Sequence, residues 1–166
     1  EDEINLQTKE IWNYEQKRLG FNYRLNDLQA SLGFSQLKRL DDFIEKRQKI
    51  ANYYDVHLAH LGIQLPHQIK NSFSSYHLYP IRVSPSKGGI SQRELFYKLR
   101  ENKIGVNLHY IPIYRQPFFK EIGFKKDYCE ESELHFREEI SIPIFANLSL
   151  KDQEFVVKKI KEIINK

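Results

Sequence analysis

Between residues 25 and 62, hydrophobic residues recur mostly at three- and four-residue steps, the spacing of one apolar stripe on a helix. The stripe comprises Leu28, Leu32, Leu37, Leu40, Ile44, Ala51, Tyr54, Leu58 and Leu61. Asn26 and Gln29 have the spacing of a capping box at its start, and Gly62 has the position of a C-cap at its end. Because globular helices usually run roughly 8 to 20 residues, we expect this one to bend or break near "LDDF", residues 40–43.

The pattern changes after residue 62, where short alternating segments replace the helical period. The sequence predicts strands at 76–84, 104–113 and 138–145, and helices at 91–102 and 149–166. This order predicts an α+β fold, in which a long linking helix precedes a small antiparallel or mixed sheet with helices on one face. We therefore divide the chain into residues 1–24, the linking helix 25–62 and a small domain 63–166.

Composition and charge narrow the class of protein. The chain has 166 residues, of which 40% are hydrophobic and 29% charged, as is typical of a soluble globular protein. No apolar run approaches the roughly 20 residues of a spanning helix, so we predict no membrane association. Cys129 is the single cysteine, which excludes an intramolecular disulfide and favours a reducing, cytoplasmic compartment. The net charge of +4 is spread along the chain without a basic block, so we do not expect nucleic-acid binding.

One candidate binding segment is "GFNYR", residues 20–24, just before the first predicted helix. Asn22 offers a neutral hydrogen-bond donor and Arg24 a charged one, and both suit an anion such as phosphate beside a helix N-terminus. A turn accounts for the same residues, because Asn tolerates left-handed backbone angles, Tyr23 packs and Arg24 is exposed. From the residues alone, the turn is the simpler interpretation.

A second candidate segment is "GVNLHYIPIYRQPFF", residues 105–119, where a predicted strand runs into a loop rich in aromatic residues. His109, Tyr110 and Phe118 could line a ligand site, as residues at strand ends often do. Alternatively, the aromatic side chains pack beneath an irregular connection, and the residues favour neither interpretation. Nucleophile elbows, phosphate loops and metal-spaced histidine pairs are absent from the sequence.

Four segments, taken in order, resemble the DegT/StrS-type sugar aminotransferases. They are "GFNYRLNDLQASLGFSQLKRLDDFIEKRQKIANYYD", "SSYHLYPIRV", "IGVNLHYIPIYRQPFF" and "EEISIPIFANLSLKDQEFVVKKI". Within that family they are most similar to the UDP-4-amino-4,6-dideoxy-N-acetyl-β-L-altrosamine transaminases of pseudaminic acid synthesis. The resemblance extends over residues 19–164.

The resemblance implies fold type I, pyridoxal 5'-phosphate (PLP) and a homodimer. The implied reaction transfers an amino group from L-glutamate to C4 of a UDP-4-keto-6-deoxy amino sugar. The chain would be the C-terminal part of such an enzyme, with residues 1–24 ending the large PLP-binding domain. The family's Schiff-base lysine would then lie upstream of the chain. We therefore expect no catalytic residue within it and no transamination by the chain alone.

The resemblance also implies roles for particular residues. Asn22 matches the family asparagine that hydrogen-bonds the PLP phosphate in the neighbouring subunit's site. Arg24 matches a basic position beside it, which serves the phosphate or the carboxylate of the amino donor. His109 and Tyr110 match the "HY" of the substrate-facing loop. Phe118 stands where the family often has a tyrosine, so a hydroxyl donor to the sugar or uracil is missing there.

Two alternatives remain open on the sequence. The predicted β-α-β-β-α order, a pI near 9.0 and 13% aromatic residues are superficially similar to an RNA-binding sheet, which would make the chain a non-catalytic binding module. The strands lack the aromatic RNA-binding signature, which argues against that module. The other alternative is a regulatory homologue that binds PLP without transamination.

Overall fold

The computed structural model of the chain describes residues 21, 23–85 and 89–165. The chain divides into two compact units, one ending at Lys38 and the other comprising Arg39–Lys166. The helices are α1 (Asp27–Leu37), α2 (Leu40–Leu58), α3 (Gln92–Glu101), α4 (Pro117–Glu121), α5 (Glu130–Glu138) and α6 (Leu150–Ile164). The strands are β1 (Tyr79–Arg82) and β2 (Glu139–Ile142), and a 3-10 turn occupies Ile113–Arg115.

The start of α1 follows the predicted capping box. The Asn26 side chain accepts a hydrogen bond from the Gln29 backbone N–H at 2.9 Å, and the Gln29 side chain accepts one from the Asn26 N–H at 3.1 Å. Two backbone donors at the helix start are thereby satisfied. The cap prediction is confirmed, and it accounts for the helix start without using Arg24.

The helix predicted over residues 25–62 is interrupted, as expected. α1 ends at Leu37 and α2 begins at Leu40, so the interruption lies at residues 38–39, directly before "LDDF". The second helix ends at Leu58, and Gly62 lies in the turn beyond it with a φ of +66°, a conformation that glycine adopts without steric cost.

The helices that the apolar stripe predicts are both present, and the stripe is buried in the C-terminal half of α2 but exposed in α1. In α2, the stripe residues Ala51, Tyr54 and Leu58 are fully buried, whereas α1 contains no buried residue. A periodic pattern of hydrophobic residues gives a helix an apolar face. That face is buried only where another element packs against it. In the second unit α6 packs on α2 and supplies that cover.

The sheet is two-stranded and antiparallel, with Tyr79 opposite Ile142 and Ile81 opposite Ile140. These four apolar side chains occupy alternate positions of their strands, so they share one face of the sheet. That face belongs to a core completed by side chains of α2, α3 and α6, including Leu58, Leu95, Leu99, Val156 and Ile160. The expected α+β architecture is therefore present in this unit.

The strand predicted over residues 104–113 was wrong as a continuous strand. It contributes one antiparallel bridge, between Asn107 and Ser141, at the free edge of β2. A further strand pair would have placed His109 opposite Glu139. Instead, the His109 N–H donates to the Glu139 side chain at 2.8 Å, while the Glu139 C=O accepts from the Gln92 side chain at 2.8 Å. Side chains thus take over the hydrogen bonds that would have extended the ladder.

Arg47 on α2 joins the helix to two loops of the second unit. Its guanidinium donates to the carbonyl oxygens of Tyr76 at 2.8 Å, His77 at 3.1 Å and Ile144 at 3.1 Å. Tyr54, about two turns further along the same face of α2, donates its hydroxyl to the carbonyl of Pro143 at 2.8 Å. These bonds fix the start of β1 and the end of β2 against α2.

Candidate functional site

The candidate phosphate-binding segment lies in the first unit. Asn22 falls outside the described residues. Arg24 is exposed, and the rings of Phe21 and Tyr23 stack with their centroids 5.5 Å apart. A guanidinium beside a helix N-terminus has the donor chemistry and charge that a phosphate group requires.

The second unit carries a hydrogen-bonded chain through His109, Ser141 and Glu139. The His109 Nδ1 lies 2.8 Å from the Ser141 Oγ, and the Ser141 hydroxyl donates to the Glu139 Oε1 at 2.5 Å. The other carboxylate oxygen of Glu139 accepts the His109 backbone N–H at 2.8 Å. On the far side of the ring, the Asn107 Nδ2 lies 3.3 Å from the His109 Nε2. Both the backbone and the ring of His109 are therefore held from β2.

Glu139 and Ser141 are buried, with exposed fractions of 1% and 5%. They occupy alternate positions of β2, on the face opposite Ile140 and Ile142. A buried carboxylate is costly unless its oxygens are hydrogen-bonded, and both oxygens of Glu139 have donors. The two side chains on the polar face of β2 thus form hydrogen bonds with His109 and with each other.

The loop that follows His109 is attached to α5. Arg115 forms a two-pronged ion pair with the buried Glu133, its Nε lying 2.7 Å from Oε1 and its Nη2 contacting Oε2. The Arg115 guanidinium also lies over the Phe136 ring, 5.2 Å from its centroid. Tyr114 is buried and donates its hydroxyl to the Cys129 carbonyl at 3.0 Å. Arg115 and Tyr114 therefore hold the loop in place.

Some aromatic residues of this segment are buried and others are exposed. Tyr114 packs, whereas Tyr110 is 70% exposed and Phe118 is 62% exposed. The Tyr110 ring meets the His109 ring edge-on with centroids 4.5 Å apart, and Phe118 meets Phe119 in the same way at 5.4 Å. Packing beneath the loop does not account for Tyr110 and Phe118, which present large aromatic surfaces outward.

An open groove of about 670 Å³ borders this site on the side of Asn107. Its walls are Phe96, Tyr97, Arg100 and residues 105–107. The described residues contain no group of three or more His, Cys, Asp or Glu side chains that could hold a metal ion. Nor does the described part of the chain contain a helix long and apolar enough to cross a membrane.

Sequence reasoning identified His109 and Tyr110 but missed Glu139, Ser141 and Asn107. A signal for two of them was present, because "EEISIPIF" places Glu139 and Ser141 at alternate positions of a strand whose other positions are isoleucine. Polar residues on a strand so rich in apolar ones either face solvent or contact a polar group of the protein. The sequence does not tell which of these covers them.

Known proteins resemble this chain along nearly its whole length. A UDP-4-amino-4,6-dideoxy-N-acetyl-β-L-altrosamine transaminase of Campylobacter jejuni is 38% identical over 160 residues, which are 95% of this chain and 42% of that protein. The structure of Helicobacter pylori PseC, an aminotransferase of pseudaminic acid biosynthesis, matches with a TM-score of 0.80 and 27% identity, covering 95% of this chain and 42% of PseC. The PLP-form of Spr1654 from Streptococcus pneumoniae matches with a TM-score of 0.83 and 27% identity, covering 94% of this chain and 40% of that one.

The chain spans less than half the length of the relatives that it matches. Its fold is that of the corresponding part of solved sugar-aminotransferase structures, as the sequence resemblance implied. The sequence pattern that defines the family matches residues 4–161, and the chain therefore belongs to the DegT/DnrJ/EryC1/StrS aminotransferase family.

Proposed function

We propose that this chain is the C-terminal part of a PLP-dependent aminotransferase that transfers an amino group from L-glutamate to C4 of a UDP-4-keto-6-deoxy amino sugar. The observation that carries the proposal is the 38% identity to the altrosamine transaminase across 95% of this chain. The arrangement around His109, with the exposed Tyr110 ring against a hydrogen-bonded imidazole, supports a sugar-nucleotide site. We further propose that the enzyme is cytoplasmic and belongs to a pathway of the pseudaminic acid type.

In this proposal, residues 1–24 end the PLP-binding domain, 25–62 form the link and 63–166 form the small domain. Asn22 and Arg24 bind the cofactor phosphate, with Asn22 reaching the site of the other subunit of a homodimer. When bound, the pyridinium ring of PLP supplies an electron sink for the carbanion that forms at the amino-donor carbon. The exposed guanidinium of Arg24 fits the phosphate by charge and hydrogen-bonding geometry.

His109, Tyr110 and Phe118 bind the nucleotide sugar in this proposal. Exposed aromatic rings provide flat apolar surfaces for a uracil or sugar ring, and the imidazole provides a polar contact that sets its orientation. The Schiff-base lysine lies outside the chain, so the chain by itself does not transaminate.

The test uses the full-length protein with PLP, L-glutamate and a UDP-4-keto-6-deoxy amino sugar. We expect a visible absorbance band from the cofactor–lysine imine and glutamate-dependent formation of the amino sugar, measured by mass spectrometry. The 166-residue chain serves as the matched control and is expected to give no product. A full-length protein that shows neither the absorbance band nor the product would overturn the proposal.

A further inference from the structure

The hydrogen bonds around His109 determine which ring nitrogen carries the proton. The single hydroxyl proton of Ser141 is donated to the Glu139 Oε1 at 2.5 Å. Its oxygen therefore meets the His109 Nδ1, 2.8 Å away, as an acceptor, which requires a proton on Nδ1. In the neutral ring, Nε2 is then left with a lone pair and accepts a hydrogen bond.

The contact at Nε2 agrees with this assignment and is replaceable. The Asn107 Nδ2 is a donor and lies 3.3 Å from Nε2, which is longer than typical hydrogen bonds of proteins. Asn107 is exposed and borders the open groove. A stronger donor that enters from the groove can displace this amide without disturbing the bonds at Nδ1.

The position of Glu139 supports a role in orientation. Its neighbours Ile140 and Ile142 on β2 show that this strand buries apolar side chains, yet Glu139 is buried to a comparable degree. Desolvating a carboxylate opposes folding, whereas an apolar residue at a buried position favours it. The two oxygens of Glu139 act on the same residue, one through the backbone N–H of His109 and the other through Ser141.

We propose that Glu139 and Ser141 are positioning residues that hold His109 as its Nδ1–H tautomer, so that Nε2 accepts a hydrogen bond from a hydroxyl or N–H group of the bound ligand. The identity of that ligand as a nucleotide sugar rests on the proposed function. In that tautomer, the Nε2 of His109 recognises a donor group of the sugar or nucleoside.

The tautomer is tested directly by nuclear magnetic resonance of the 15N-histidine-labelled 166-residue chain. Spectra are recorded at about pH 8.5, above the ordinary histidine pKa, so that neutral rings predominate. Two-bond 1H–15N correlations identify the protonated nitrogen of each ring, and His109→Gln identifies the signals of His109. We expect Nδ1 to be protonated and Nε2 to be unprotonated in the unsubstituted chain.

Three variants separate positioning from general stability. Ser141→Ala removes the acceptor at Nδ1, so we expect a substantial fraction of the Nε2–H tautomer, and Ser141→Thr, which keeps the hydroxyl, should restore the original pattern. Glu138→Gln is the matched control, because Glu138 pairs with Arg82 at 2.8 Å and not with His109. An Nε2–H signal in the unsubstituted chain, or an unchanged pattern in a folded Ser141→Ala chain, would overturn the proposal. If Ser141→Ala does not fold, the tautomer of the unsubstituted chain and of Ser141→Thr still decides it.

Kinetics of the full-length enzyme test the consequence for the ligand. We expect Ser141→Ala to raise the KM for the nucleotide sugar by about tenfold, the effect of weakening one hydrogen bond, with a smaller change in kcat and with Ser141→Thr close to the parent. An unchanged KM in a variant that has lost the tautomer would refute the role in ligand recognition. A parent enzyme with the expected tautomer but no amination would refute the proposed function alone.

Discussion

At the scale of single residues, Tyr79 couples the stability of the second unit to pH. Its side chain is fully buried and donates its hydroxyl to the carboxylate of Asp55 on α2. Burial and this hydrogen bond both favour the neutral phenol and raise the pKa of Tyr79 above its ordinary value of 10.0. A phenol whose pKa is raised by folding contributes stability below pH 10.0 that is lost as the pH rises toward the folded-state value.

We therefore predict that Tyr79→Phe changes how the free energy of unfolding depends on pH in the alkaline range. Below pH 10 the substitution should lower the free energy of unfolding by about 1.5–3 kcal/mol, because a hydrogen bond to a charged group is lost. Above about pH 10, the parent should lose about 1.4 kcal/mol more per pH unit than the variant, in which this position cannot ionise. Urea unfolding between pH 8 and about pH 11 measures both effects.

The exposed Tyr97 provides the control for this experiment, since Tyr97→Phe removes a hydroxyl at the surface of α3. Its stability curve should run parallel to that of the parent over the whole range. Equal slopes for the parent and Tyr79→Phe above pH 10 would contradict the assigned role of the buried hydroxyl.

Single residues also show how far the sequence predicts the site. His109 and Tyr110 could be predicted because the loop pairs an imidazole with aromatic residues at the end of a polar and apolar alternation. Glu139 could not be predicted, because a glutamate between charged and apolar residues is compatible with solvent exposure as well as burial. Its partners, the backbone N–H of His109 and the hydroxyl of Ser141, are separated from each other by 32 positions, and the fold brings them together.

At the scale of elements, short sequence patterns predicted where the helices start better than they predicted the strands. Asn26 caps α1 as expected and Ser149 caps α6, and both caps depend on a residue three positions away. The segment 104–113 alternates like a strand but forms one bridge, because the Glu139 side chain occupies the N–H that a strand would have used. Strand pairing depends on the partner edge, and the segment's own sequence does not contain that information.

The attachment to α5 of the loop that follows His109 can be tested at the same scale. Glu133→Gln replaces a buried carboxylate that contacts Arg115 through both oxygens. We predict a loss of about 2 kcal/mol in the free energy of unfolding, because the guanidinium keeps its charge but loses its anionic partner. Amide exchange at Arg115 and Gln116, whose N–H groups bond within the 3-10 turn, should become faster.

Glu130→Gln is the matched control for that prediction. Glu130 lies in the same first turn of α5, so its loss removes a comparable interaction with the helix dipole, but it is exposed. We expect a change below about 0.5 kcal/mol and unchanged exchange in the loop. If both substitutions destabilise the chain equally, the helix dipole and not the ion pair accounts for the effect.

At the scale of the whole molecule, the first unit has several exposed apolar side chains. Leu25, Leu28, Leu32, Phe34 and Leu37 are all more than 60% exposed. Four of these side chains belong to α1, and a helix so rich in apolar residues with none of them buried is characteristic of a segment that other protein segments cover. This agrees with the proposed enzyme, in which the linking segment and the cofactor loop contribute to a larger assembly.

The proposed action of Asn22 on the neighbouring subunit predicts complementation between two defective full-length enzymes. One carries Asn22→Ala, for which we expect about tenfold weaker PLP binding, and the other lacks the Schiff-base lysine. A heterodimer of the two contains one site with an intact lysine from the first subunit and an intact Asn22 from the second, because residues at a two-fold interface are exchanged reciprocally. Co-expression should therefore restore glutamate-dependent amination at limiting PLP, measured against each homodimer alone.

The control replaces the second subunit by a variant that lacks both the lysine and Asn22, so that no site is complete and no activity returns. If Asn22 acts within its own subunit, the first mixture is as inactive as the control, and the proposed exchange between subunits is wrong.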